Sequence, residues 1–208
     1  SGSDMKSSLI TKALEDEGIK VFCPQSETNI KDDFDLVIYS AAVTDENPEL
    51  IEARLKQIRT LSRKEALPII LGDKKNYCVA GAHGKSTTTA ILASILQSSA
   101  LIGAISKDFG SNFRYVNDLI AFEADESDAS FLLSNPYCAV VTNAEPEHME
   151  YYHYDYDKFY ESYERFISLA TKKVVNGEDK DIKKLKIEDA TYLYQSKDIK
   201  KNYYNLNH

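Results

Sequence analysis

The stretch NYCVAGAHGKSTTTAIL, Asn76 to Leu92, passes from an apolar run into glycines, a lysine and hydroxyls, then back to apolar residues. These changes of character predict a strand over Tyr77–Ala80, a tight turn over Gly81–Lys85 and a helix from about Ser86. A helix start exposes unpaired backbone N–H groups and the positive end of the helix dipole, which together favour an anion. Lys85 adds a charge that can reach phosphate oxygens, and the Ser86 hydroxyl can sit on Mg²⁺. The common phosphate loop is longer, however; here only Ala82 and His83 separate Gly81 from Gly84. Taken alone, Gly-Lys-Ser is equally compatible with an ordinary strand-to-helix turn carrying a solvent-exposed lysine.

The flanking sequence supplies the context. Upstream, Lys6–Glu17 places Leu9, Ile10, Ala13 and Leu14 on one helical stripe, with Gly18 as a stop. Ile19–Cys23 and Asp35–Tyr39 read as strands, the second of them buried. Asn47–Ile58 reads as a helix with Asn47 as its cap and Pro48 at its first position, where a missing N–H does no harm. Ser62–Leu71 has helical character, but Pro68 is expected to break it. This alternation implies a small α/β unit with a parallel sheet, and a boundary falls within Leu67–Lys75. Downstream, the helix after the quoted turn carries Ala90, Ile91, Ile95 and Leu96 on its apolar face. Strands follow at Asp118–Phe122, Cys138–Thr142 and Lys173–Val175. Asp157–Ala170 forms an amphipathic helix with Phe159, Tyr163, Phe166 and Leu169 at helical spacing. Beyond Gly177 the pattern weakens.

Composition narrows the partners. Of 208 residues, 43% are apolar, which permits a real core, and the net charge is −8. No basic block stands out, so electrostatics argue against a nucleic-acid partner. Cys23, Cys78 and Cys138 lie in apolar runs without disulfide or zinc spacing, and read as buried thiols in a reducing cytoplasm. The sequence shows no signal peptide and no apolar run long enough to span a membrane.

Three predicted strands of the second unit end in polar clusters: GAHGKS, EADESD (Glu123–Asp128) and TNAEPEH (Thr142–His148). If the strands are parallel, the clusters meet at the carboxyl edge of one sheet, where open α/β sheets place their ligands. Each cluster alone has a plainer reading. An acidic loop is usually solvated, and a single histidine is usually structural. His153 and His208 are read that way outright, and the tyrosines of YYHYDY as a packed or surface loop. The shared position at strand ends raises the three clusters above those readings. His148 is then unexpected on chemistry alone, since imidazole is an unusual Mg²⁺ ligand.

Together these stretches resemble the Mur ligase family, the ATP-dependent amide-forming enzymes of peptidoglycan assembly. VAGAHGKSTTTA (Val79–Ala90) is similar to the family's shortened phosphate loop, Gly-x-x-Gly-Lys-Ser/Thr. His83 resembles the branch that joins L-alanine to UDP-N-acetylmuramate, where other members usually carry asparagine. FEADESDASFL (Phe122–Leu132) and AVVTNAEPEHMEYY (Ala139–Tyr152) are similar to further segments of that branch. SGSD, DLVIYSAAVTDENPEL and LSRKEAL resemble its UDP-binding domain. The likeness runs to about Asp179.

The resemblance implies two parallel-sheet α/β domains. A Rossmann-like UDP-binding domain would occupy residues 1–71 and a phosphate-loop ATPase-type central domain residues 72–208, both incomplete. It implies ATP and Mg²⁺ as cofactors, with Gly81, Ala82, His83, Gly84, Lys85, Ser86 and Thr87 cradling the phosphates and Asn143 near the nucleotide. Lys85 would hold the β- and γ-phosphates; Ser86 and Glu123 would each hold a Mg²⁺, and His148 would be a further metal contact. Lys85, Glu123 and His148 are thus the implied catalytic set. Ala82 stands where threonine is usual, Ser86 replaces threonine, and Glu147 replaces an aspartate, which leaves its role open. The implied reaction activates the lactyl carboxylate of UDP-N-acetylmuramate as an acyl phosphate, which L-alanine then attacks. The family's first strand and its amino-acid-binding domain would lie outside this sequence, so the stretch by itself is expected not to complete the reaction. A tripeptide-recycling ligase of the same family and a non-catalytic nucleotide-binding module are the rival readings. Ser127, where the recycling enzyme usually has tyrosine, favours the alanine branch.

Overall fold

A computed structural model describes residues 1–193; His208 lies outside the described residues. The chain forms two compact units, the first spanning Ser1–Ala66 and the second beginning at Leu67. The division falls ahead of the expected boundary at 71/72 because Leu67 and Leu71 are already buried in the second unit's core.

In the first unit, β1 (Gly2–Ser3) pairs in parallel with β2 (Val21–Phe22). β3 (Leu36–Tyr39) pairs in parallel with β4 (Arg59–Ser62), a strand the sequence pattern does not announce. Helix α1 (Leu9–Asp16) starts at Ser8, whose hydroxyl accepts from the Thr11 amide while Thr11 returns a bond to the Ser8 amide. Its expected apolar stripe points outward: Leu9, Ile10, Ala13 and Leu14 are exposed, and Thr11 is the buried residue. Ile38 on β3, expected to be buried, is exposed as well. Two-stranded sheets offer too little surface to cover either. Helix α2 (Pro48–Leu55) matches its expectation, with Asn47 Oδ1 accepting from the amides of Glu49 at 2.9 Å and Leu50 at 3.3 Å. Cys23 is exposed, whereas Cys78 and Cys138 are buried.

Helix α3 (Arg63–Leu71) runs through Pro68 rather than ending there. An interior proline costs about 3 kcal/mol. Burial of Ala66, Leu67 and Leu71 on its inner side offsets this, since each fully buried leucine contributes about 1.5–3 kcal/mol.

Among the described residues, the second unit is built on a seven-stranded sheet. Its strands are β5 (Lys75–Ala80), β6 (Ser99–Leu101), β7 (Phe113–Arg114), β8 (Leu119–Glu123), β9 (Pro136–Val141), β10 (Lys172–Asn176) and β11 (Thr191–Leu193). The order is β11-β10-β9-β5-β8-β6-β7, and every pair is parallel except β6–β7. β5 is central, flanked by β9 and β8, so the three strands with polar ends are neighbours and point the same way.

Strand alternation gives the sheet two different faces. On one, Cys78, Ala80, Phe122, Ala139 and Val141 pack with Phe131 and with α5 (Tyr156–Ser168) through Phe159, Tyr163 and Phe166. Phe131 stacks on Phe166 with ring centroids 4.8 Å apart and meets Tyr163 edge-on at 5.3 Å. Leu169, expected on this face, lies just past α5 and is exposed. On the other face, Ala121 and Ala100 form a small-residue cluster with Ala93 of α4 (Lys85–Leu96), against which Ala90 packs. Helix α4 lies close to the sheet on these alanines and on Thr89, so Ile91 and Ile95 are turned outward, contrary to the expected face.

Phe166→Ala is expected to destabilise the second unit by about 3–5 kcal/mol, whereas Ile95→Ser should change stability by about 0.5 kcal/mol or less. Urea denaturation followed by far-UV circular dichroism checks both; equal effects would show that the core has been assigned to the wrong face.

Candidate active site

The site forms where β5, β8 and β9 end side by side. After Ala80 the chain turns at Gly81, whose φ is +136°. A Cβ at this position would lie 2.2 Å from Thr142 Oγ1 and 2.9 Å from Asn143 O, so only glycine fits. Thr142 and Asn143, at the end of β9, then clasp the loop. Asn143 Oδ1 accepts from the His83 amide at 3.2 Å, and Asn143 Nδ2 donates to the His83 carbonyl at 2.8 Å. Thr142 Oγ1 donates to the same carbonyl at 2.7 Å. Gly84, with φ +83°, is the N-cap of α4 and offers no side-chain cap, which leaves the helix start to other acceptors.

Lys85 and Ser86 open that helix and turn towards the end of β8. Ser86 Oγ donates to Glu123 Oε1 at 2.9 Å. The other oxygen of Glu123 accepts from the Gly103 amide at 2.7 Å, which draws in the loop that follows β6. Lys85 is not the solvent-exposed lysine of the sequence reading: its side chain is only 16% exposed and pairs with Glu126, which is 2% exposed, at 2.9 Å. Lys85 Nζ also donates to the Gly81 carbonyl at 2.7 Å. Burial pushes the Glu126 carboxyl above the usual range, and the Lys85 charge opposes that rise.

The His83 ring points away from this pair. Its Nε2 lies 3.3 Å from Glu147 Oε1 and 3.8 Å from Glu145 Oε2, so the unassigned Glu147 contacts the loop histidine. Ala82 is half-buried and Thr87 exposed. His148 is exposed on the loop after β9 with φ +50°, and among the described residues it has no hydrogen-bonding or ionic partner. The geometry therefore brings together Gly81, His83, Lys85, Ser86, Glu123 and Asn143, and leaves His148 at the rim.

Sequence reasoning missed Gly103, Thr142 and Glu126. Glu126 lay inside the quoted EADESD cluster, but nothing in that run marks which carboxylate turns inward. Among the described residues there is no group of three or more His, Cys, Asp or Glu side chains that could cage a metal. Magnesium does not need one: it is commonly held by one or two protein oxygens together with phosphate and water. Ser86 Oγ and Glu123 Oε1, in contact at a helix start, are donors of that kind.

A parallel sheet with a glycine turn, a lysine and a hydroxyl at the head of the next helix defines a phosphate-loop α/β protein. The chain belongs to the Mur ligase family. The profile described as "Mur ligase family, catalytic domain" matches residues 1–75, and that described as "Mur ligase middle domain" matches residues 79–207. The chain is 56% identical to the UDP-N-acetylmuramate--L-alanine ligase of Campylobacter curvus over 200 residues, 96% of this chain and 46% of that protein. It is 44% identical to the enzyme of the same name from Helicobacter pylori, over 96% of this chain and 44% of that one. Among solved structures it is similar to the UDP-N-acetylmuramate-alanine ligase of Thermotoga maritima, with a TM-score of 0.79 and 28% identity over 93% of this chain and 46% of the other. The chain thus spans about half the length of the curated relatives it matches.

Lys85→Ala would leave the Glu126 charge buried and unpaired, and is expected to cost about 3 kcal/mol at pH 7. Without Lys85, the folded-state pKa of Glu126 rises further above its unfolded value of about 4.3. For a carboxyl shifted upward, stability falls as pH climbs from the unfolded value towards the folded one. The deficit of Lys85→Ala against the parent should therefore be small near pH 4.5 and grow towards pH 7. Urea titrations across that range check this, and a deficit independent of pH would contradict the buried-pair account.

Proposed function

We propose that the chain is the UDP-binding and ATP-binding part of a cytoplasmic ligase that joins L-alanine to the lactyl carboxylate of UDP-N-acetylmuramate in peptidoglycan synthesis. The observation that carries the reading is the Lys85, Ser86 and Glu123 constellation at the head of a glycine-turn helix, in a chain 56% identical to a protein of that name. Ser127, where the recycling enzyme usually has tyrosine, supports the alanine branch.

The reaction brings a carboxylate up to a polyanion, so its central difficulty is charge. Lys85 supplies a fixed positive charge beside the phosphates. The amides of Gly84 to Thr87 lie at the positive end of α4, and Asn143 holds the loop that presents them. Ser86, Glu123 and, from the loop after β9, His148 would hold Mg²⁺, which would supply positive charge to offset that of the phosphates. Attack of the lactyl carboxylate on the γ-phosphorus gives an acyl phosphate and ADP, and the L-alanine amine then displaces phosphate to form the amide.

The first unit, Ser1–Ala66, is read as part of the UDP-binding domain. A cavity of about 920 Å³ lined by Ser3, Gln25, Asn29, Tyr39, Asn47 and Glu49 supports this. Glu49, though buried, accepts from Asn29 Nδ2 at 2.8 Å and from the Ser3 hydroxyl, so the cavity wall carries an ordered polar network.

The experiment offers UDP-N-acetylmuramate and ATP to the whole protein and compares phosphate release with L-alanine, glycine, L-serine and the tripeptide as acceptors. L-Alanine should give the fastest release, and preference for the tripeptide would transfer the chain to the recycling branch. Glu123→Gln and His148→Ala should each raise the Mg²⁺ concentration for half-maximal release, and Lys85→Ala, assayed where it remains folded, should abolish it. Mg²⁺ titrations of both metal-site variants that overlay the parent would remove those residues from the metal site.

A further inference from the structure

Glu126 is the one carboxylate of the EADESD run that is buried, and it meets the phosphate loop's lysine there. A lysine ammonium has three N–H donors. Lys85 directs one to the Gly81 carbonyl at 2.7 Å and one to Glu126 Oε1 at 2.9 Å, so two fixed acceptors set the direction of the third. Glu126 is itself held in place. Its carbonyl accepts from the Tyr152 hydroxyl at 2.6 Å, and Tyr152, which is buried, accepts in turn from Ser162 Oγ of α5 at 3.3 Å. Among the described residues, its second carboxylate oxygen is buried without a hydrogen-bond partner. A buried carboxylate with one oxygen unsatisfied is costly. Packing does not call for it, because a methionine would fill the same length without that cost.

We propose that Glu126 is a positioning residue: with the Gly81 carbonyl it aims the Lys85 ammonium at the terminal phosphates of a bound nucleoside triphosphate. The inference rests on the phosphate-loop reading of Gly81–Thr87. A mobile lysine beside a polyphosphate would sample many orientations, whereas one tied at two corners presents its remaining proton in one direction. The ion pair is therefore retained in the bound state, and Glu126 favours triphosphate binding although its own charge repels the ligand.

The test measures binding of ATP and of AMP, with Mg²⁺ present, to the 208-residue chain by calorimetry. Glu126→Met removes both acceptors at constant length, Glu126→Gln restores one, and Lys85→Met and the double variant complete a cycle. Thermal unfolding confirms that each variant is folded. Glu126→Met should weaken ATP about tenfold and AMP less than about twofold, because AMP lacks the phosphates that the lysine reaches. Glu126→Gln should fall between Glu126→Met and the parent. In the Lys85→Met background, Glu126→Met should no longer weaken ATP binding. Equal losses for ATP and AMP, or a loss that persists without Lys85, would make Glu126 a structural residue and overturn the proposal. Tighter ATP binding on losing Glu126 would show that it acts by repulsion, and would overturn it equally. The ATP and AMP comparison needs no Lys85 variant, so the proposal stays exposed if Lys85→Met fails to fold. No ATP binding by the parent chain is a separate outcome, which rejects the phosphate-loop reading and this inference with it.

Discussion

The backbone leaving β5 passes so close to the end of β9 that a Cβ at Gly81 would sit 2.2 Å from Thr142 Oγ1, and the rest of the site follows from that approach. Because the two strands end together, Thr142 and Asn143 can grip both the amide and the carbonyl of His83. The loop reverses within a few residues, α4 begins at Lys85, and its first turn points back over the sheet edge. A longer loop would carry its lysine further out. The shortened spacing and the close strand-to-loop contact are two views of one constraint.

Electrostatics then act locally. The chain carries a net charge of −8, yet the groups gathered at these strand ends are of a kind that suits an anion. A helix start without a side-chain cap, a lysine that is mostly buried and a serine beside a carboxylate provide what phosphate and a hard cation need. Acidic residues serve here as counter-ions and anchors: Glu123 ties Ser86 to the Gly103 loop, and Glu126 receives Lys85. Global charge speaks to the class of partner, and a few neighbouring groups decide the ligand.

Much of this was legible in the sequence where a residue does something that few others can. Asn47-Pro48 marks a helix start by its cap chemistry, and Gly81 with Gly84-Lys85-Ser86 marks a turn into a helix. The parallel strands at Leu119–Glu123 and Pro136–Val141 were found within a few residues because apolar runs ending in polar clusters are distinctive. The failures share a different cause: they depend on what lies opposite. Ile91 and Ile95 fit an apolar stripe, but α4 approaches the sheet through alanines instead. Pro68 is a breaker in isolation, and buried neighbours hold the helix through it. Lys85 reads as a surface lysine until Glu126, distant in sequence, is placed beside it. Strand β6 and Gly103 carry no local signal at all, because their role is to lie next to β8.

The central claim is that three adjacent strand ends form one phosphate site in this chain. Amide NMR shifts of the ¹⁵N-labelled protein, followed as Mg²⁺ and ATP are added, test it most directly. The account predicts saturable shifts concentrated at Gly81–Thr87, Gly103, Glu123–Glu126 and Thr142–Asn143, with the exposed end of α4 around Ile95 nearly unmoved. Shifts that cluster elsewhere while those amides stay still would contradict it.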